Sequence, residues 1–170
     1  MTYKVRIYGD PVLRQSTDIV TEFDNDLSDI VHSMIETMYE GNGIGLAAPQ
    51  VGISKKIIVI DTSFGESTDS AMHLINPEIL ETEGECLLEE GCLSIPGVYE
   101  EIVRPEKIQV IYFDSDGNEQ KIDADGLLAR VIQHEIDHLD GILFVDRLST
   151  VKRNLLANTL RSMAEEGSSG

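Results

Sequence analysis

The sequence predicts an α+β fold in which antiparallel or mixed sheets pack around one central helix, with further helices toward the N- and C-terminal ends. Three observations carry that expectation. The 170 residues are the size of one ordinary domain, and 41% of them are hydrophobic, enough to fill a core. Strand-like segments come first and the most regular helical pattern comes late, an order that segregates helix from sheet. A polar turn over residues 114–118 folds one strand back on the next, which is antiparallel pairing. One domain is expected over residues 1–164, followed by a flexible tail at 165–170.

The first helix is predicted over about Leu27 to Tyr39. Ile30, Val31, Met34, Ile35, Met38 and Tyr39 recur there at helical spacing until Gly41 and Gly43 stop the pattern. His32 in this helix reads as partly exposed. Gly43 to Gly52 is a small-residue loop that another backbone or a ligand can approach closely; it lacks the Lys-Ser/Thr ending of a phosphate loop. Lys56 to Asp61 reads as a buried strand and Ser63 to Ser70 as a polar surface loop. His73 to Leu80 is a second strand region interrupted at Asn76-Pro77, and Lys107 to Phe113 a third strand, which the turn at 114–118 joins to Glu119 to Ile122. A helix follows over about Asp125 to Leu139, ended by Gly141. The last helix, roughly Thr150 to Met163, carries Val151, Leu155, Leu156, Leu160 and Met163.

Charge narrows the function classes. Lys plus Arg number 13 and Asp plus Glu 31, a net charge of −18. Such a surface repels phosphate backbones and anionic lipid, so nucleic-acid and membrane-surface binding are not expected. Apolar runs are only a few residues long, and Met1 to Arg6 lacks the apolar core of a signal peptide. A cytoplasmic or organelle-interior location is expected. The two cysteines, Cys86 and Cys92, would close only a short loop as a disulfide and are expected to be reduced. Cys86 reads as a small buried hydrophobe. Cys92 lies between Gly91 and Pro96-Gly97, on an irregular turn that could bring a thiol up to a ligand.

The chemistry is concentrated in His134-Glu135-Ile136-Asp137-His138. Residues four apart share one helix face one turn apart, so both imidazoles can reach a single metal ion. On the helical wheel Leu127, Val131, His134 and His138 form one row, Arg130, Gln133, Asp137 and Asp140 a polar row beside it, and Leu128, Ile132, Ile136 and Leu139 the apolar side. The histidines therefore continue a buried row. Glu135 turns toward apolar surroundings, where its pKa should rise toward that of a useful base. A catalytic site needs a third protein ligand and one open position. Phe144 stands where one HExxH class would place a histidine, and the only later glutamates are Glu165 and Glu166 in the tail. Upstream, Cys92 offers a thiolate. A zinc endopeptidase and a non-catalytic cation-binding protein are the competing readings.

Three segments resemble the motifs of peptide deformylases, in their order and approximate spacing: Gly43 to Gln50 (GIGLAAPQ), Glu90 to Ser94 (EGCLS) and His134 to His138 (HEIDH). Tyr8 to Arg14 also resembles that family's opening, with Gly9 where a proline is common. The resemblance implies that Cys92, His134 and His138 bind one divalent metal, Fe(II) foremost, with Zn(II) or Ni(II) able to replace it. It implies Glu135 as general base and acid, and the Gln50 amide and Leu93 backbone N–H as donors to the formyl oxygen. Ile44 and Gly45 would pair with an extended peptide whose methionine enters an apolar pocket near Leu88, Leu127 and Val131. Two residues depart from the pattern: Arg130, where many relatives carry an apolar residue, and Tyr99, where an arginine is often found. Both are expected to bear on the residues after the methionine. The implied reaction is hydrolysis of N-formyl-L-methionyl nascent peptides to formate and a free amino terminus. The implied partners are that peptide and the ribosome near the nascent-chain exit, and the implied state is a monomer.

Overall fold

A computed structural model of the chain describes residues 1–64, 66 and 70–169, with side chains through residue 166. Among the described residues, strands β1 (Gly45–Ala47), β2 (Ile57–Ile60), β3 (Met72–Glu83), β6 (Lys107–Phe113) and β7 (Glu119–Asp125) form a five-stranded sheet in the order β1-β2-β3-β6-β7. Strands β4 (Cys86–Cys92) and β5 (Ile95–Arg104) form a separate two-stranded sheet. All neighbouring strands are antiparallel. The helices are α1 (Asn25–Glu40), α2 (Gly126–Leu139) and α3 (Thr150–Ser169). The α+β class is as expected.

Local chemistry explains these elements. Asp24 caps α1 by accepting a hydrogen bond from the Leu27 N–H at 3.0 Å, which satisfies one of the amides that a helix start leaves unpaired. The apolar row of α1, Leu27, Val31, Met34 and Met38, packs with Leu46, Ile57, Val59 and Ile75. On the other face of the sheet Ile58, Ile60, Leu74 and Val110 meet Ala129, Val131, Ile132 and Leu139 of α2. Strand β2 is therefore apolar at every position because a helix covers each of its faces. A third cluster joins Ile95, Val98 and Ile102 of β5 to Leu143, Phe144, Val145 and Leu148 after α2, and to Leu160 of α3.

Several boundaries differ from the expectation. The sequence did not reveal β1 or the β4–β5 hairpin, where Glu89, Glu90, Glu100 and Glu101 break the alternation that marks a half-buried strand. Cys92 accordingly ends a strand, with Leu93 and Ser94 making the turn. Asn76-Pro77 does not interrupt β3. The strand passes through it with a register shift between Ile75 and Glu78, and the Asn76 side chain takes up the N–H and C=O of Val20 at 2.8 and 2.9 Å. Helix α3 continues past Met163 to Ser169. Both cysteines are free and half-buried, so Cys86 is less enclosed than expected. Of the loop read over Ser63 to Ser70, residues 65 and 67–69 lie outside the described residues.

Ile132 is fully buried beneath the helix that carries the two histidines. Truncating it should leave a cavity that the sheet cannot fill. Ile132→Ala is expected to lower unfolding free energy by about 2–5 kcal/mol in urea titration. An unchanged midpoint and slope would contradict this packing.

Candidate metal centre

Helix α2 docks on the sheet through Ala129, Val131, Ile132 and Leu139, which leaves His134 and His138 within reach of Cys92 and Glu135 against Gly45 of β1. One turn of helix sets the two imidazole centroids 5.0 Å apart, inclined at 67°. Strand β4 delivers Cys92 to them, with Sγ 3.4 Å from His138 Nε2. One ligand atom from each of Cys92, His134 and His138 falls within 4.8 Å of the others, the only such group of three among the described residues. Phe144 does not approach as a ligand would; its ring stacks on His134 with centroids 5.9 Å apart.

The chemistry of the donor set suits a divalent ion, since a thiolate and two imidazoles are borderline-soft donors. The orientation of His134 agrees with it. His134 Nδ1–H donates to Glu90 Oε1 at 2.8 Å, which leaves the Nε2 lone pair directed at the site. Burial opposes a charge on His134, yet Glu135, Cys92 and Glu90 together push its pKa well above the usual value. His138 goes the other way: burial, then the charge of His134, press it well below.

Glu135 is buried, and Oε1 has no hydrogen-bond partner, standing 3.9 Å from His138 Nε2. Burial, more than any neighbouring charge, raises its pKa to about 7. The carboxylate fits because residue 45 is glycine: a Cβ there would stand 2.5 Å from Glu135 Oε2 and 2.7 Å from Val131 Cγ1. Gln50, in a short 3-10 turn after β1, accepts a hydrogen bond from the Ala47 N–H at 2.9 Å. Its amide donates to Ser94 Oγ at 3.1 Å and to Cys92 Sγ at 3.4 Å. Leu93 follows Cys92 directly, its side chain filling the space beside Gly41 and Gly43.

Cys92, Leu93, Gln50, His134 and Glu135 line a cleft of about 450 Å³ together with Ile44, Gly45, Tyr99, Leu127, Arg130 and Val131. Tyr99 is 62% exposed and lies across Gly91, where any Cβ would come within 2.5 Å of its ring. Leu88, 41% exposed, is not among the lining residues; it stands opposite Ile102 on the hairpin. A larger groove of about 830 Å³, between residues 3–10 and α3, is lined by none of the three ligand residues nor by Glu135.

Sequence reasoning missed the charged cluster behind the site. Glu90 is buried with Arg104, Arg130 and Asp137. Arg104 donates to both Glu90 oxygens and to Asp137 Oδ2 at 2.8 Å, and Arg147 donates to both Asp137 oxygens at 2.6 and 2.7 Å. Burial alone would raise the Glu90 carboxyl, but the hydrogen bonds from His134 and Arg104 outweigh it and hold it at about 2. The available signal was that Glu90 and Asp137 lie inside the motifs already singled out.

A family profile described as Polypeptide deformylase matches residues 2–154. The chain is 51% identical to the peptide deformylase of Acidobacterium capsulatum, covering 94% of each chain. It is 50% identical to that of Thermodesulfovibrio yellowstonii, covering 94% of this chain and 96% of that one. The structure resembles a Plasmodium falciparum peptide deformylase with a TM-score of 0.93 at 37% identity, covering 98% of each chain. It resembles the Legionella pneumophila enzyme with a TM-score of 0.89 at 40% identity, over 99% and 98%. By these similarities the chain belongs to the peptide deformylase family, hydrolases that remove the N-formyl group from nascent peptides.

Proposed function

We propose that this chain hydrolyses N-formyl-L-methionyl nascent peptides to formate and a free methionine amino terminus, with one divalent metal held by Cys92, His134 and His138. Fe(II) is the foremost candidate, with Zn(II) and Ni(II) as replacements. The observation that carries the reading is the gathering of one thiol and two imidazole ligand atoms within 4.8 Å, beside a buried carboxylate with a free oxygen. When bound, the ion supplies Lewis acidity toward water and the formyl carbonyl.

The chain's own groups do the rest. Glu135 takes the proton of the attacking water on its carboxylate and hands it to the leaving amine; a pKa near 7 suits both halves of that exchange. Gln50 Nε2–H, on giving up its long 3.4 Å contact to Cys92 Sγ, and the Leu93 N–H donate to the formyl oxygen as negative charge grows on it. Such preorganised donors are worth roughly 2.7–4 kcal/mol each. Strand β1 is an edge strand, paired only with β2, so an extended peptide can add along Gly45 at the cleft, beside Ile44, whose carbonyl also accepts from the Asp61 N–H at 2.9 Å. Leu127 and Val131 receive the methionine side chain, with Leu88 as an outer neighbour. Tyr99 and the stem of Arg130 border the residues that follow. No helix of the described residues is long and apolar enough to cross a membrane. The reading extends to a monomer acting near the ribosomal exit, in a bacterial cytoplasm or an organelle interior.

A formate-release assay on formyl-Met-Ala-Ser tests the reaction class. Formate with the internal peptide bonds intact is expected, and internal cleavage without formate would favour an endopeptidase. Glu135→Gln should keep its metal and lose about 10²–10⁴-fold in kcat; turnover near wild type would remove Glu135 as the base. Cys92→Ala should fail to retain metal on elemental analysis, and full metal content there would remove Cys92 as a ligand. Tyr99→Ala should change relative kcat/KM across formyl-Met peptides that vary at the second and third residues, and an unchanged ranking would remove Tyr99 from the substrate contacts.

A further inference from the structure

The cleft accounts for Glu135 and the ligand atoms but not for the second guanidinium on Glu90. A carboxylate has about four lone-pair sites, two on each oxygen. On Glu90 all four are taken. Oε1 accepts from Arg104 Nη2 at 2.9 Å and from His134 Nδ1 at 2.8 Å, and Oε2 accepts from Arg104 Nε and Arg130 Nη1, each at 2.5 Å. A carboxylate so saturated cannot turn without breaking bonds to charged donors in a buried place. Arg130 does more than fill the last site. Its Nη1 also donates to the Ile102 carbonyl at 3.0 Å and its Nη2 to the Cys86 carbonyl at 2.6 Å. One guanidinium projecting from α2 therefore grips the backbone of both hairpin strands and the side chain two residues before Cys92.

The ion pairs interlock as well: Glu90 bonds Arg104 and Arg130, and Asp137 bonds Arg104 and the more exposed Arg147. Without Arg130, Glu90 would keep only His134 Nδ1–H and Arg104, the latter shared with Asp137. The hairpin that carries the thiol belongs to a different sheet from the one on which α2 docks. No ladder hydrogen bond fixes the distance between Cys92 and the two histidines, so that distance must be fixed by side chains that cross the gap.

We propose that Arg130 is a positioning residue for the metal centre. It locks the β4–β5 hairpin to α2, holds Glu90 on His134 Nδ1, and so sets the reach of Cys92 Sγ to the imidazoles. The inference rests on the reading of Cys92, His134 and His138 as ligands. It gives Arg130 a role in metal retention beside its place at the cleft.

Co(II) is the probe. Arg130→Met keeps the stem and removes the guanidinium; loaded with Co(II), it should release the ion to a chelator about 10–100-fold faster than the parent. Its thiolate-to-cobalt absorption band should shift, which a merely looser fold would not produce. In a Glu90→Gln background the same substitution should add little, because the two residues act through one contact. If Arg130→Met does not fold, Arg130→Lys carries the same readouts, since a single ammonium cannot reproduce the fork across two carbonyls and a carboxylate. Parental release and an unshifted band in the folded variant would overturn the proposal, as would full additivity with Glu90→Gln. A parent protein that binds Co(II) with no thiolate band would instead overturn the ligand reading beneath it.

Discussion

Cys92 meets His134 and His138 across a gap that no backbone ladder spans, and a buried charge cluster bridges it. Glu90 lies on the thiol's strand and Asp137 on the histidines' helix, with Arg104 of β5 joining the two. Buried charges are costly to desolvate and are tolerated only where geometry and hydrogen bonds are nearly complete. Such a cluster contributes little by its mere presence, but removing one partner leaves an uncompensated charge, at a cost of about 3–5 kcal/mol. That asymmetry makes it a device for position: intermediate geometries are penalised, and the strand end is held where its sulfur is useful.

The second constraint is space. Glu135 is placed by α2 with no hydrogen-bond partner for one oxygen, and burial, more than any neighbouring charge, raises its proton affinity. Such a group must lie against something that excludes water without crowding it, and Gly45 is that surface. The same glycine sits on the edge strand that faces the cleft. The acid-base group and the edge open to a peptide are thus neighbours because one residue lacks a side chain.

Much of this was legible before the fold. The helical wheel of α2 set Ile132 and Leu139, which dock on the sheet, apart from His134 and His138, because a 3.6-residue period determines both, although Val131 of the histidine row also packs on the sheet. Strand β2 was evident from an unbroken apolar run. The β4–β5 hairpin was not, since it buries charge on one face: Glu90 and Arg104 are enclosed where an alternating pattern would put apolar residues. The short strand β1 was hidden in a run of small residues with no alternation. Arg130 lines the cleft as expected, but sequence is silent on where a long side chain ends, here on Glu90 and the backbone of both hairpin strands. The environment of Glu135 was readable in advance, as burial in an apolar row leaves a carboxylate one direction in which to shift.

The central claim is that a sulfur from mid-chain joins two ring nitrogens of α2 on one ion. X-ray absorption at the zinc edge of the Zn(II)-loaded protein tests it most directly. The account predicts one sulfur scatterer at about 2.3 Å together with the multiple-scattering pattern of two imidazoles. A first shell of nitrogen and oxygen alone would contradict it.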